Sequence, residues 1–186
     1  MALTSTNQIT LGFKAPAFSL VNVPNGKTLT FSDIKGEKGT LVMFICNHCP
    51  YVKHVIHELV HIGNDYLPKG IGFVAINSND VIKHPEDSPE NMKIFAFENK
   101  FPFPYLFDET QEVAKSYDAA CTPDFDLFDA NDTCVYRGRM DASRPGNSIP
   151  VTGNELRNAL NQLLNNETIS ATQQPSMGCN IKWKAI

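Results

Sequence analysis

The sequence predicts an α/β fold in which a central mixed β-sheet is flanked by helices. Three segments carry that prediction. Residues 40–45 and 71–76 are short, β-rich apolar runs bounded by glycine or polar residues, the pattern of strands buried on both faces. Between them Val52, Val55, Ile56, Leu59, Ile62 and Tyr66 recur at helical spacing, which makes residues 50–66 an amphipathic helix. Strand, helix and strand form a βαβ unit.

Residues 77–87, polar and turn-rich, form a loop after the second strand. Ser88 is placed as the N-cap of a second helix, with Pro89 at its first position, running to about residue 99. Residues 105–107 suit a short edge strand and 111–117 a short helix. Residues 125–128 and 134–137 pair as a hairpin around Ala130-Asn131-Asp132. A last helix starts at Thr152, whose capping box closes on Glu155, and buries Leu156, Ala159, Leu160, Leu163 and Leu164. From residue 165 the chain is polar and ends in SMGCNIKWKAI. There is no internal repeat and no linker, so residues 1–186 read as one domain with a polar tail over 165–186.

Composition narrows the function classes. The chain has 186 residues, 42% hydrophobic and 19% charged, which suits one globular core. A net charge of −4, with no Lys/Arg cluster, argues against nucleic acid and against an anionic membrane surface as partners. The opening MALTSTNQIT lacks the basic start and apolar run of a signal peptide, and no stretch approaches the roughly 20 apolar residues of a membrane span. The expected location is the cytoplasm. There, five cysteines, an odd number, point to buried thiols plus a working site rather than to a disulfide scaffold.

Two motifs overlap in CNHCPYVKHVIHELVH (46–61): the C-x-x-C pair Cys46 and Cys49, and an H-E-x-x-H at His57 to His61. At about 100° per residue, His54, His57 and His61 fall opposite the apolar face of the helix, where they meet water and not a metal cleft. The spacing from C-x-x-C to His54 and His57 is also far tighter than that of a zinc finger. No metal and no cofactor is expected. The cysteines, by contrast, sit where a strand ends and a helix begins. Unpaired N–H groups and the positive end of the helix dipole stabilise a thiolate there. His48, between the two in sequence, is a candidate partner for both sulfurs.

Three stretches in order, LGFKAPAFSL (11–20), FPYLFDETQEVAKSYDA (103–119) and CTPDFDLFDANDTCVYRGR (121–139), make the chain resemble the peroxiredoxin-like branch of the thioredoxin superfamily. That branch is related to the alkyl hydroperoxide reductase and thiol-specific antioxidant group. The resemblance implies a thioredoxin-like fold and a cytoplasmic thiol-disulfide oxidoreductase with Cys46, Cys49 and His48 as its catalytic residues. It further implies a cis bond between Thr122 and Pro123, facing the redox cysteines and binding substrate, with Cys121 close enough to face the same site. The expected partners are a protein or small-molecule thiol or disulfide and a thiol electron donor.

The assignment of the nucleophile depends on register. Read as an ordinary C-x-x-C, Cys46 attacks and Cys49 resolves. Laid on the strand without a gap, FICNHCPYV puts Cys49 at the first cysteine of thioredoxin-like proteins and Val52 at the second. The second register is preferred, because Pro50 then opens the helix where its missing N–H costs nothing.

Peroxiredoxins usually place the peroxidatic cysteine at the position of Val52, with a Thr three residues earlier and a distant Arg. The residue three before Val52 is Cys49, and three before that is Cys46. Arg137, Arg139 and Arg144 are the available guanidinium groups, with exposed hairpin charge as their ordinary role. A thiol-dependent peroxidase is therefore the alternative within the same chemistry, and a copper- or zinc-binding module without turnover is the alternative outside it. Cys134 reads as a core thiol, and Cys179 is open between a resolving cysteine and a surface thiol.

Overall fold

Strict alternation along two central strands divides the core in two. The computed structural model describes residues 3–185. In chain order its elements are β1 (Leu3–Ser5), β2 (Ser19–Asn22), β3 (Lys27–Thr30), α1 (Phe31–Ile34), β4 (Gly39–Phe44), α2 (Pro50–Tyr66), β5 (Ile71–Asn77), α3 (Pro89–Glu98), β6 (Tyr105–Phe107), α4 (Glu112–Ser116), β7 (Cys121–Thr122), β8 (Asp124–Asp129), β9 (Cys134–Arg137), α5 (Asn154–Leu164) and β10 (Met177–Asn180). Leu41, Met43, Phe73 and Ala75 point to the side covered by α2, α3 and α5. Val42, Phe44, Val74 and Ile76 point to the other side, against Phe18, Phe31, Val113 and Tyr117. Burial on both faces is why these strands read as unbroken apolar runs.

The main sheet has seven strands in the order β3-β2-β6-β5-β4-β8-β9. β4 and β5 are parallel, from Gly39 opposite Ile71 to Phe44 opposite Ile76, and β5 and β6 are parallel as well. β4 and β8 run antiparallel, as do β8 and β9. The sheet is thus mixed and flanked by helices. A second sheet, β1-β10-β7, is wholly antiparallel and joins the N-terminal strand to the C-terminal one. No helix among the described residues is long and apolar enough to cross a membrane.

Three expectations need correction. β6 is an interior strand rather than an edge, because the hairpin of β2 and β3 pairs onto it. The signal for that hairpin is Asn25-Gly26, where Gly26 takes φ 72° at the turn. The capping box at Thr152 does not form. α5 begins behind Gly153, the carboxylate of Asp141 accepts the N–H groups of Thr152 and Gly153 at 2.8 and 2.7 Å, and Glu155 pairs with Arg139 instead. Finally, the polar C-terminal segment returns to the body of the protein as β10.

Candidate active site

β4 ends at Phe44, and the next backbone bond, from Ile45 N–H to the Ile76 carbonyl at 3.0 Å, keeps the chain on the sheet for one residue more. Cys46, Asn47 and His48 then cross to α2. Cys49 is its N-cap and Pro50 its first residue. This is the arrangement that the gap-free register describes. Cys46 and Cys49 are both buried, at 1% and 0% exposure.

Their neighbours come from the far end of the sequence. The Thr122–Pro123 bond is cis. The Thr122 carbonyl oxygen lies 3.2 Å from Cys49 Sγ, and its hydroxyl lies 3.4 Å from Cys46 Sγ. β10 pairs antiparallel with β7, setting Cys179 opposite Thr122, and this brings Cys179 Sγ to 2.9 Å from Cys49 Sγ. Cys179 is therefore no surface thiol. Residues directly opposite one another share a face of the sheet, so Cys179 and Thr122 turn to the redox cysteines together.

The same alternation removes Cys121 from the site. It faces the other way, toward Thr6 and Asp124, and its sulfur meets the Pro123 carbonyl at 3.7 Å. Burial pushes its thiol up. Cys134 lies in the opposite core, where burial likewise raises its thiol.

The three clustered sulfurs differ sharply in acidity. Cys49 is pulled down to about 5, chiefly by the hydrogen bond from Cys46. Burial opposes this, and Cys179, the Val52 backbone N–H and Thr122 add to it. Cys46 is raised well above the ordinary thiol, first by that same bond to Cys49, then by burial and by the charge of Asp87. Cys179 is pushed up to about 12, by burial and then by its bond to Cys49. One thiolate thus accepts from two thiols that keep their protons. The Val52 N–H is the part of this that the helix start supplies; the larger part comes from Cys46.

His48 turns away from the sulfurs toward a residue that sequence reasoning missed. Its Nδ1 is 2.6 Å from Asp87 Oδ2, and its ring stacks on His84 with centroids 5.3 Å apart. Among the described residues it makes no hydrogen bond to Cys46 or Cys49, although a ring nitrogen, an Asp87 oxygen and Cys46 Sγ lie within 4.8 Å of one another. Burial pushes the Asp87 carboxyl up, but bonds from His48, Asn79 and the Asn47 N–H outweigh it and hold the carboxyl below its usual range. Asp87 in turn raises His48. No local pattern marks Asp87, which lies forty-one residues from Cys46 and is recognisable only through the donors that converge on it.

The remaining candidates fall outside the site. Arg137 is buried rather than exposed, with its guanidinium on Asp126 at 2.6 Å and on the carbonyls of Tyr117 and Asp118. Arg139 is held by Glu155, and Arg144 lies exposed with Nη1 3.3 Å from Met177 Sδ. His57 and His61 face water, His54 bonds the Ser143 hydroxyl at 2.7 Å, and Glu58 pairs with Arg157. A groove lined by Tyr51, His54, Ser143, Arg144 and Met177 runs beside Pro123.

β10 packs on Cys49 through Cys179, with the two sulfurs 2.9 Å apart. A Cβ on Gly178 would lie 1.9 Å from the Thr122 carbonyl oxygen, so only glycine lets the strand pass this close. Gly178→Ala is expected to push β10 off β7 and to raise the rate of Cys49 alkylation by iodoacetamide roughly tenfold or more. An unchanged rate would mean that β10 does not control access.

Comparison with solved structures gives two relatives that span the whole chain. An uncharacterized conserved protein from Geobacillus kaustophilus is 59% identical, with a TM-score of 0.97 over 99% of this chain and 97% of its own. A hypothetical protein from Sinorhizobium meliloti 1021 is 43% identical, with a TM-score of 0.95 over 98% of this chain and 99% of its own. The thioredoxin domain of a thiol-disulfide oxidoreductase from Bacteroides vulgatus, 20% identical, superposes with a TM-score of 0.62 over 82% of this chain and 99% of its own, a likeness of fold. Among curated proteins nothing matches. The model of the AhpC/TSA family matches residues 11–139. The chain therefore belongs to the AhpC/TSA family, and it is a thiol oxidoreductase of thioredoxin-like fold.

Proposed function

We propose that the protein catalyses thiol-disulfide exchange, with Cys49 as nucleophile and Cys46 as the thiol that completes the C-x-x-C couple. The observation that carries this reading is the placement of Cys49 at the N-cap of α2, with its sulfur 3.2 Å from the Thr122 carbonyl of the cis Thr122–Pro123 peptide; the hydrogen bond from Cys46 supports it by pulling the thiol down to about 5. Cys49 attacks one sulfur of a substrate disulfide, forming a mixed disulfide and expelling the other half as a thiolate. Cys46 then gives up its proton; the Thr122 hydroxyl lies 3.4 Å from its sulfur, and Asp87 and His48 have atoms within 4.8 Å of it. The Cys46 thiolate attacks the Cys49 sulfur, closes the Cys46–Cys49 disulfide and releases the second half of the substrate. A thiol donor returns the two electrons.

The competing chemistry is less well supported. Peroxide reduction calls for a cation at the thiolate; Arg137 and Arg139 are committed to Asp126 and Glu155, and Arg144 is exposed, with Nη1 3.3 Å from Met177 Sδ. A metal on Cys46, His48 and Asp87 would have to displace the bonds that Asp87 already accepts from His48 and Asn79.

Insulin reduction and peroxide consumption, both measured on one preparation with dithiothreitol as donor, test the reading. Insulin precipitation should accelerate strongly, while peroxide should disappear no faster than with dithiothreitol alone. The reverse pattern would make the protein a peroxidase.

A further inference from the structure

The edge of β7 just before the cis proline is where an extended substrate chain would pair, and in this protein β10 already lies along it. Cys179 stands opposite Thr122 in an antiparallel ladder. Its sulfur is 2.9 Å from that of Cys49, about 0.9 Å more than a disulfide bond of roughly 2.05 Å. Gly178 carries no side chain where one would strike the Thr122 carbonyl. The strand has the position, direction and sulfur placement of a bound cysteine-containing peptide.

We propose that Cys179 is a second resolving cysteine, presented to Cys49 by β10 as an internal substrate. This rests on the reading of Cys49 as nucleophile. An external chain must take the β7 edge from β10 to reach Cys49. Once Cys49 holds a mixed disulfide, β10 competes to return. The Cys179 thiol then loses its proton, its thiolate attacks the Cys49 sulfur, and the substrate half leaves as a thiolate that takes up the proton. The product is a Cys49–Cys179 disulfide, and the two electrons that reduced the external disulfide came from these two thiols. Attack by the Cys46 thiolate on the Cys49 sulfur can then pass the bond to Cys46–Cys49 and restore Cys179 as a thiol. Resolution by Cys179 differs from resolution by Cys46 in one respect: it expels the product from the edge as it breaks the bond.

Single-turnover reaction of the reduced protein with an excess of an aromatic disulfide that releases a coloured thiol reads this out. A mixed disulfide left standing on Cys49 releases one equivalent, and a resolved one releases two. Cys46→Ser should release two equivalents, and mass mapping after alkylation should find Cys49 linked to Cys179 in a monomer. Cys46→Ser/Cys179→Ser should stop at one. If Cys46→Ser itself stops at one, with Cys179 still alkylatable, the proposal is wrong. Cys179→Ser separates the two ideas, because two equivalents there support Cys46 as a resolving thiol. One equivalent there, beside two in Cys46→Ser, would overturn the C-x-x-C reading and leave this proposal standing. Should Cys46→Ser not fold, acid-quenched time points of the wild-type protein decide: a Cys49–Cys179 disulfide must appear before the Cys46–Cys49 one, and its absence at every time overturns the proposal.

Discussion

Cys49→Ser is expected to lower disulfide exchange at pH 7 by on the order of a thousandfold or more, since the attacking atom itself is removed. The pH profile of the wild-type protein gives the sharper check. With its thiol held at about 5, Cys49 should be a thiolate across the neutral range, so the exchange rate should rise through about pH 5 and then level off. An ordinary thiol near pH 8.5 would still be rising there. Cys46→Ala deletes the hydrogen bond that contributes most to the depression, so its profile should move to higher pH, whereas Cys46→Ser keeps a donor and should move less. The ultraviolet absorbance of the thiolate gives the same midpoints without requiring access to the buried sulfur. A wild-type midpoint near 8.5 would remove Cys49 as the nucleophile.

The second large effect concerns stability. Arg137→Met should destabilise the protein by about 3–5 kcal/mol, because it removes the buried guanidinium that bonds Asp126 and the carbonyls of Asn7, Tyr117 and Asp118 and that faces Asp124. For a chain of this length that is roughly 10 °C or more in Tm. Asp124 and Asp126 are both buried, face this one guanidinium, and are pushed up by burial, Asp126 to about 8. Among the described residues Asp126 Oδ2 has no hydrogen-bond partner. The sign of the pH dependence follows. Asp126 has a folded pKa above its unfolded value of about 3.9, so its proton favours the folded chain, and that contribution is lost as pH rises through about 8. Without Arg137 the carboxylates rise further, and the variant should regain stability as the pH is lowered toward about 5. A variant that melts with the wild type at every pH would show that the pair is dispensable.

Residues whose signals are local were legible in the sequence. The apolar runs of β4 and β5 and the period of α2 fix the βαβ unit, and Pro50 at the first helical position locates Cys49 at the helix start. What could not be read depends on pairing across long separations. β10 is four residues, MGCN, held between strands of three and two, so it has no period to detect. Asp87 is a carboxylate on a polar loop until Asn47, His48 and Asn79 converge on it. Arg137 was legible in principle. DFDLFD places Asp124 and Asp126 on one face of β8, and the hairpin register sets Asp126 opposite Arg137, so an exposed guanidinium would have left two acids buried alone.

The small sheet has a practical corollary. β1 forms the outer edge of the strand that carries Cys179, so trimming Leu3 to Ser5 would unfasten β10 on one side and be felt at Cys49. A fluorophore or immobilisation handle attached near either of these strands would report on, and disturb, the chemistry under study. Asn25 and Gly26, exposed at the turn between β2 and β3 near the opposite edge of the main sheet, with open space around Gly26, are the sounder place to anchor one.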